Sequence, residues 1–298
     1  MVGKKYLFQA RGQNFAVGPR TWIMGVLNVT PDSFFDGGNY EDKNKAVDRA
    51  LELEAQGADM IDIGGESTRP GSEPVPADVE LGRVIPVIEA LRKRTSCLIS
   101  VDTVKARVAE AALEAGADII NDISSARHDV RMLELAHRFK AGLIMMHMKG
   151  EPKNMQDKPS YDNVLAEVKV FLKERLDYAL AFGIPKERII IDPGIGFGKR
   201  LEDNLRIINN LTTFKDLGRP ILVGPSRKSF IGKILDLPPE ERLEGTIASA
   251  VLSMVRGAAI LRVHDVKAVK RAVVVAEAIL NEAQDASSFV GNTSRYVH

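Results

Sequence analysis

Apolar residues along this chain gather into eight short runs, each closing on a polar side chain: WIMGVLNVT, MIDIGGESTR, LISVDT, IINDIS, LIMMH, IIIDPG, ILVGPSRK and ILRVHD. Short runs rich in Ile and Val and bounded by turn formers read as buried strands. Their polar ends are Asn28, Thr68 with Arg69, Asp102, Asn121, His147, Asp192, Lys228, and Arg262 with His264. Between the runs, apolar spacing of three and four predicts helices at 44–56, 77–93, 105–115, 129–140, 162–182, 201–210, 241–256 and 266–283. Gly57, Gly116 and Gly257 stand just after three of these helices, where a left-handed residue ends the turn. Eight βα units with their chemistry at the strand C-termini predict an α/β protein of the (β/α)8 TIM-barrel class. A doubly wound open sheet is the competing architecture, since it also gathers ligands at strand ends.

Residues 5–18 alternate and break at Arg11-Gly12-Gln13-Asn14, which predicts an N-terminal β-hairpin covering the bottom of the barrel. The expected division is a hairpin extension at 1–20, a barrel domain at 21–283 and a loosely ordered tail at 284–298. Forty-one Lys and Arg against 40 Asp and Glu leave a net charge of +1. That balance provides no general field for nucleic acid or an anionic membrane, so any anion site has to be local. The lone Cys97 cannot form an internal disulfide, and the first ten residues lack the apolar core of a secretory signal. No run approaches the ~20 apolar residues of a membrane helix. The expectation is a cytoplasmic enzyme without nucleic-acid or membrane partners.

Two loops hold more than a βα turn requires. LNVTPDSFFDGG (27–38) carries two carboxylates, two phenylalanines and a diglycine, and GGESTRPGSEPVP (64–76) offers the Arg69 fork to a carboxylate or phosphate. Asp102 reads either as a site carboxylate or as the N-cap of the helix that follows it. Gly194, Gly196 and Gly198 miss the G-x-G-x-x-G spacing of a dinucleotide fingerprint.

With LNVTPDSFFDGG, IDIGGESTRPG, SVDT, INDIS, MHMKGEPKNMQ, IDPGIGFGK, GPSRKSFIG and RVHD in order across residues 27–265, the chain resembles the bacterial dihydropteroate synthases. Phe35 departs from the small polar residue that many members carry there. The resemblance implies a transferase that joins 6-hydroxymethyl-7,8-dihydropterin diphosphate to 4-aminobenzoate, by an SN1-like path, in a homodimer built on helices near 241–283. It implies that Asp102, Asn121 and Asp192 read the pterin edge and that Lys228 takes the ring carbonyl. The glycines of 194–198 would let backbone approach a flat ring beside Phe197, with Met146 as another wall or as plain core.

Arg262 and His264, two apart on one strand, point to one face and are expected to form a cationic diphosphate site with Asn28. An Arg262–Asp265 rim pair is the alternative. Magnesium is the expected cofactor, held by diphosphate oxygens and Asn28. Thr68, Arg69, Pro70, Ser226, Arg227, Lys228 and Ser229 would frame 4-aminobenzoate, with Phe34 covering it and Asp36 nearby. Competing functions are a pterin-dependent methyltransferase, a silent pterin-binding protein and an aldolase-type barrel. The last asks for a Schiff-base Lys or a metal triad, and the Arg-rich surroundings of Lys228 argue against a depressed pKa there.

Overall fold

The apolar runs form parallel strands because each is buried on both faces. The computed structural model describes residues 4–30, 40–68 and 71–282. Two antiparallel strands, β1 (Tyr6–Ala10) and β2 (Gln13–Val17), come first and turn at Arg11 and Gly12, both at positive φ. Then follow β3 (Trp22–Asn28), α1 (Tyr40–Ala55), β4 (Met60–Gly64), α2 (Ala77–Arg92), β5 (Leu98–Asp102), α3 (Ala106–Ala115), β6 (Ile119–Asp122), α4 (Arg131–Arg138), β7 (Gly142–Met146) and α5 (Val164–Phe182). The chain continues with β8 (Ile189–Asp192), α6 (Leu201–Asn209), β9 (Leu222–Val223), α7 (Ser229–Leu235), α8 (Leu243–Val255), β10 (Ile260–Val263) and α9 (Val266–Leu280). The eight parallel strands lie in the order β8-β7-β6-β5-β4-β3-β10-β9, and an Ile191–Ile221 bridge joins the two ends into a nearly closed barrel. The open-sheet alternative is set aside by that closure.

Period-two alternation sorts the strand residues into two shells. Ile23, Ile61, Ile99, Ile120, Leu143, Ile191, Val223 and Leu261 face outward into the large core beneath the helices. Trp22, Met24, Met60, Leu98, Ile119, Ile144, Ile190, Leu222 and Ile260 face inward and form a separate lower layer with Phe8 of the hairpin. The hairpin thus plugs the barrel floor: the Phe8 ring is fully buried, and a Cβ on Gly142 would lie 2.6 Å from its Cζ. Gly57, Gly116 and Gly257 have φ of 101°, 115° and 109°, as helix ends of this kind need.

Five elements depart from the expected pattern. The seventh barrel strand is only two residues long, because Gly224 and Pro225 turn the chain away. The two-turn helix α7 grows from the GPSRKSFIG segment, and three 3-10 turns (186–188, 211–217 and 239–241) fill connections that carry no helical periodicity. The tail from 284 onward lies outside the described residues.

Candidate active site

Continuing upward from the apolar floor, the same inward parity brings Asp62, Ser100, Asp102, Asn121, Met146, Asp192, Arg262 and His264 to the barrel mouth. At its centre Arg262 donates from Nε to Asp62 Oδ2 at 2.6 Å and from Nη2 to Asp102 Oδ2 at 2.7 Å. Asn121 Nδ2 donates to the same Asp62 oxygen at 3.0 Å. Asp62 is fully buried, yet its Oδ1, the Oδ1 of Asp102 and the hydroxyl of Ser100 have no hydrogen-bond partner among the described residues. Buried polar atoms left this way are costly, so their retention points to a ligand.

Burial raises Asp192 to about 6, while the Gly194 N–H donated to its Oδ1 at 2.7 Å pulls the other way. Asp102 is also pushed above the usual carboxylate range by burial, against the attraction of Arg262. Lys228 lies with its Nζ 4.2 Å from the centre of the Phe197 ring, and burial followed by the nearby Arg262 charge lowers it to about 8. That depression runs against the expectation for Lys228, so its surroundings no longer speak against Schiff-base chemistry. Phe197 belongs to a small apolar cluster with Ile123, Met146, Met148 and Met155 at the mouth. This is a wall beside the polar layer, separate from the main core.

The anion half differs in detail from its expected form. Arg262 is anchored to Asp62 and Asp102, and Asp265 pairs instead with Arg227, whose Nε and Nη2 reach it at 2.9 and 2.6 Å. Arg227, at a φ of +54°, thereby holds the turn into α7 with its guanidinium committed. Burial, then Arg262 and Lys228, lower His264 to about 3, so in this state it is a neutral imidazole and not a cation. Its Nδ1 lies 3.0 Å from the hydroxyl of buried Ser226, which also accepts the His264 backbone N–H. Asn28 is half-buried at the end of β3, in register with Gly64 and, through it, Asp102. The helix α3 is capped at Lys105, so Asp102 is not its N-cap. Thr68 lines a cleft of about 670 Å³ that reaches down to Asp102. Phe34, Asp36, Arg69 and Pro70 lie outside the described residues, as does Phe35.

Two of the three glycines answer to a neighbouring backbone, while Gly196 faces the Lys228 side chain. A Cβ at Gly194 would sit 2.0 Å from the His147 carbonyl oxygen, and one at Gly198 2.1 Å from that of Lys149. The β8–α6 loop is laid backbone-to-backbone on the β7–α5 loop. Buried Lys199 fastens the two, donating to the carbonyls of Phe197 and His147 and lying 2.9 Å from His147 Nδ1. His147 is lowered to about 2 by burial and Lys199, and it packs edge-on against Phe171, a structural histidine.

Sequence reasoning missed Asp62 and Lys199. The signal for Asp62 was a charge flanked by Ile61 and Ile63 inside a strand; Lys199 was hidden in a glycine-rich segment that reads as a surface loop.

The sequence profile described as "Pterin binding enzyme" matches residues 24–264. The dihydropteroate synthase of Synechocystis is 48% identical over 89% of this chain and 92% of its own. Among solved structures, a Yersinia pestis dihydropteroate synthase in complex with a sulfonamide drug superposes with a TM-score of 0.86 at 42% identity, covering 92% of this chain and 99% of that one. A Xanthomonas albilineans dihydropteroate synthase with 4-aminobenzoic acid gives 0.86 at 44% identity, over 93% and 99%. With the profile spanning every barrel strand from Met24 to His264 and these relatives matching nearly end to end, the chain belongs to the pterin binding enzyme family, among the dihydropteroate synthases.

Proposed function

We propose that the barrel mouth joins 6-hydroxymethyl-7,8-dihydropterin diphosphate to 4-aminobenzoate, giving 7,8-dihydropteroate and diphosphate, as a dihydropteroate synthase of folate synthesis. The observation that carries this reading is the inward polar layer of Asp62, Asp102, Asn121, Asp192 and Lys228 beside the Met146 and Phe197 wall. A pterin offers that layer a flat ring with adjacent N–H donors and a carbonyl on one edge. Asp192 as a carboxylate accepts two of the N–H groups, Asn121 and Asp102 meet the remaining ring polar atoms, and Lys228 donates to the carbonyl. The family model of recognition therefore agrees with groups that are buried, partly unpaired and aimed inward.

Arg262, Ser226 and His264 follow one another along the diphosphate side, facing Asn28. When the methylene C–O bond breaks, its electron pair leaves with diphosphate, and the positive charge left on the methylene spreads into the ring in an SN1-like step. Asp62 and Asp102 supply fixed negative charge beneath that cation in a site shielded from water. The amine lone pair of 4-aminobenzoate then forms the C–N bond, and the nitrogen releases its proton to diphosphate or water. Thr68, Arg69, Pro70, Ser226, Lys228 and Ser229 are the residues we assign to 4-aminobenzoate, together with Phe34 and Asp36 of the first loop. Arg227 contributes through its hold on Asp265.

Magnesium fits this site as a substrate-borne ion. The half-buried Asn28 amide provides one hard oxygen, and no group of three His, Cys, Asp or Glu that would make a dedicated cage occurs among the described residues. When bound, the ion neutralises charge on the leaving diphosphate.

The reading extends to a cytoplasmic homodimer. No helix among the described residues is long and apolar enough to cross a membrane. Leu205, Ile234, Leu235 and Leu252 stand exposed around an apolar groove of about 340 Å³ between α6, α7 and α8, a surface suited to a second copy of the chain. A monomeric Leu252→Glu protein in light scattering, against a dimeric parent, is the expected outcome; two dimers would refute that face.

Diphosphate release from the pterin diphosphate, with and without 4-aminobenzoate, tests the whole reading. Release coupled to a new pteroate product supports it. Tight pterin binding with no release favours a silent pterin-binding protein.

A further inference from the structure

Lys105 sits three residues beyond Asp102, where the turn is fixed by Thr103, whose N–H reaches the Asn121 carbonyl and whose hydroxyl accepts the Lys105 N–H. Its ammonium lies between two carboxylates, 2.5 Å from Glu66 Oε2 and 2.6 Å from Glu80 Oε2. Glu80 is fully buried on α2, and its other oxygen has no partner among the described residues. Burial alone would lower Lys105, but its hydrogen bonds to Glu66 and Glu80 hold it above the usual lysine range, so the ammonium stays charged.

Glu66 is the hinge of this arrangement. The oxygen that meets Lys105 also accepts the Val75 N–H at 3.0 Å, so one carboxylate ties Val75 and Lys105 to the stretch that follows β4. Arg83 holds the preceding Gly65 carbonyl at 2.7 Å, and Ser72 donates to the Ser67 carbonyl at 2.6 Å. Farther out, Gly71 donates to the Pro152 carbonyl and Lys153 pairs with Glu73 at 2.9 Å. Glu66, Thr68, Ser72, Glu73 and Pro74 of the stretches 66–68 and 71–75 line the cleft together with Asp102 and Lys105.

We infer that Lys105, Glu66 and Glu80 form a positioning unit that sets the spacing of residues 66–68 and 71–75 along the cleft, and with it the affinity for the arylamine substrate, from the pterin side of the site. None of the three has to touch a reacting atom. The inference rests on the assignment of Thr68 to 4-aminobenzoate, and wild-type turnover tests that reading separately. Burying the Glu80 carboxylate beside a half-buried Lys105–Glu66 pair costs desolvation that an apolar side chain would avoid, which is an argument for a geometric role at this place.

Steady-state kinetics on the full-length protein decides. Lys105→Met should raise KM for 4-aminobenzoate about ten-fold while KM for the pterin diphosphate stays within about two-fold, and Lys105→Arg should restore most of the loss. Glu66→Gln keeps an acceptor for the Val75 N–H and the side-chain volume, and should give a smaller rise in the same KM alone. It carries the test if Lys105→Met fails to fold. In hydrogen exchange, the Val75 amide should lose protection in Lys105→Met. Equal rises in both KM values, or unchanged kinetics with only a lower Tm, would overturn the inference. A wild-type protein that makes no pteroate would instead sink the functional reading beneath it.

Discussion

Replacing Arg262 by Lys keeps the charge and removes the fork. In the native protein Nε and Nη2 address two different carboxylates, Asp62 at 2.6 Å and Asp102 at 2.7 Å. Lys105 shows that an ammonium can bridge two carboxylates when both converge on one point. Asp62 and Asp102 instead meet separate nitrogens of a planar group, so the ammonium of the Arg262→Lys protein satisfies one and leaves the other buried with a weaker partner. A hydrogen bond to a charged group contributes about 1.5–3 kcal/mol, and we take about 2 kcal/mol as the loss of stability. At about 2–4 °C per kcal/mol this lowers Tm by roughly 4–8 °C. Chemistry should suffer as well, because the guanidinium faces the diphosphate side: kcat/KM for the pterin diphosphate should fall ten-fold or more, on the order of 1.4 kcal/mol. Calorimetry and a diphosphate-release assay on the same preparation read both. A protein with normal kcat/KM and a lowered Tm would make Arg262 scaffold only, and an unchanged Tm would contradict the energetic weight given to the Asp62–Arg262–Asp102 triad. Asp62→Asn with Arg262→Lys closes a double-mutant cycle in which a non-additive Tm is expected.

Asp192→Asn should cost about 2–4 kcal/mol in pterin binding with Tm little changed, since the Gly194 N–H keeps the amide oxygen and turns the NH2 toward the pterin donors; near-normal affinity in titration calorimetry would reject the assignment. Affinity for 6-hydroxymethylpterin, which carries no phosphate, should fall as pH drops through about 6, where Asp192 gains its proton, and again as pH rises through about 8, where Lys228 loses its own. In the ligand-free protein the sign is opposite for Asp192: a carboxylate raised by burial detracts from stability above its ordinary range, and a flat binding profile from pH 5 to 9 would dismiss both groups. Gly142→Ala should destabilise by about 1–3 kcal/mol through the clash of its Cβ with Phe8, and Phe8→Leu should recover part of the loss in thermal melts; a silent Gly142→Ala would mean the floor is loosely packed.

Much of the barrel was readable because period-two alternation and strand-end chemistry are local properties. From Ile260 through Arg262 to His264, or from Ile119 to Asn121, parity alone places the polar residue inward. Partner choice is a different matter. Nothing in RVHD says that Arg262 turns to Asp62, 200 positions away, and leaves Asp265 to Arg227, because the pairing is set by strand register across the closed sheet. The state of His264 escaped for a similar reason: a histidine near phosphate chemistry reads as cationic, whereas burial beside two positive side chains makes it neutral. The glycines of IDPGIGFGK were legible as a site of close approach, but the approaching bodies are the backbone of residues 147–149 at Gly194 and Gly198 and the Lys228 side chain at Gly196. The short strand β9 was overestimated because its apolar run ILV ends at Gly224 and Pro225, which bend the chain before a third strand residue pairs.

Phe8 and the floor layer beneath the polar mouth leave the barrel a room with one door. Under the proposed assignments, a pterin held against Asn121 and Asp192 lies below an arylamine resting on Thr68. Traffic through such a room is then expected to run last in, first out: the pterin seated before the arylamine arrives, with a misplaced arylamine acting as a cork. The hairpin at the far end of the barrel would thereby impose a sequence on events at the mouth.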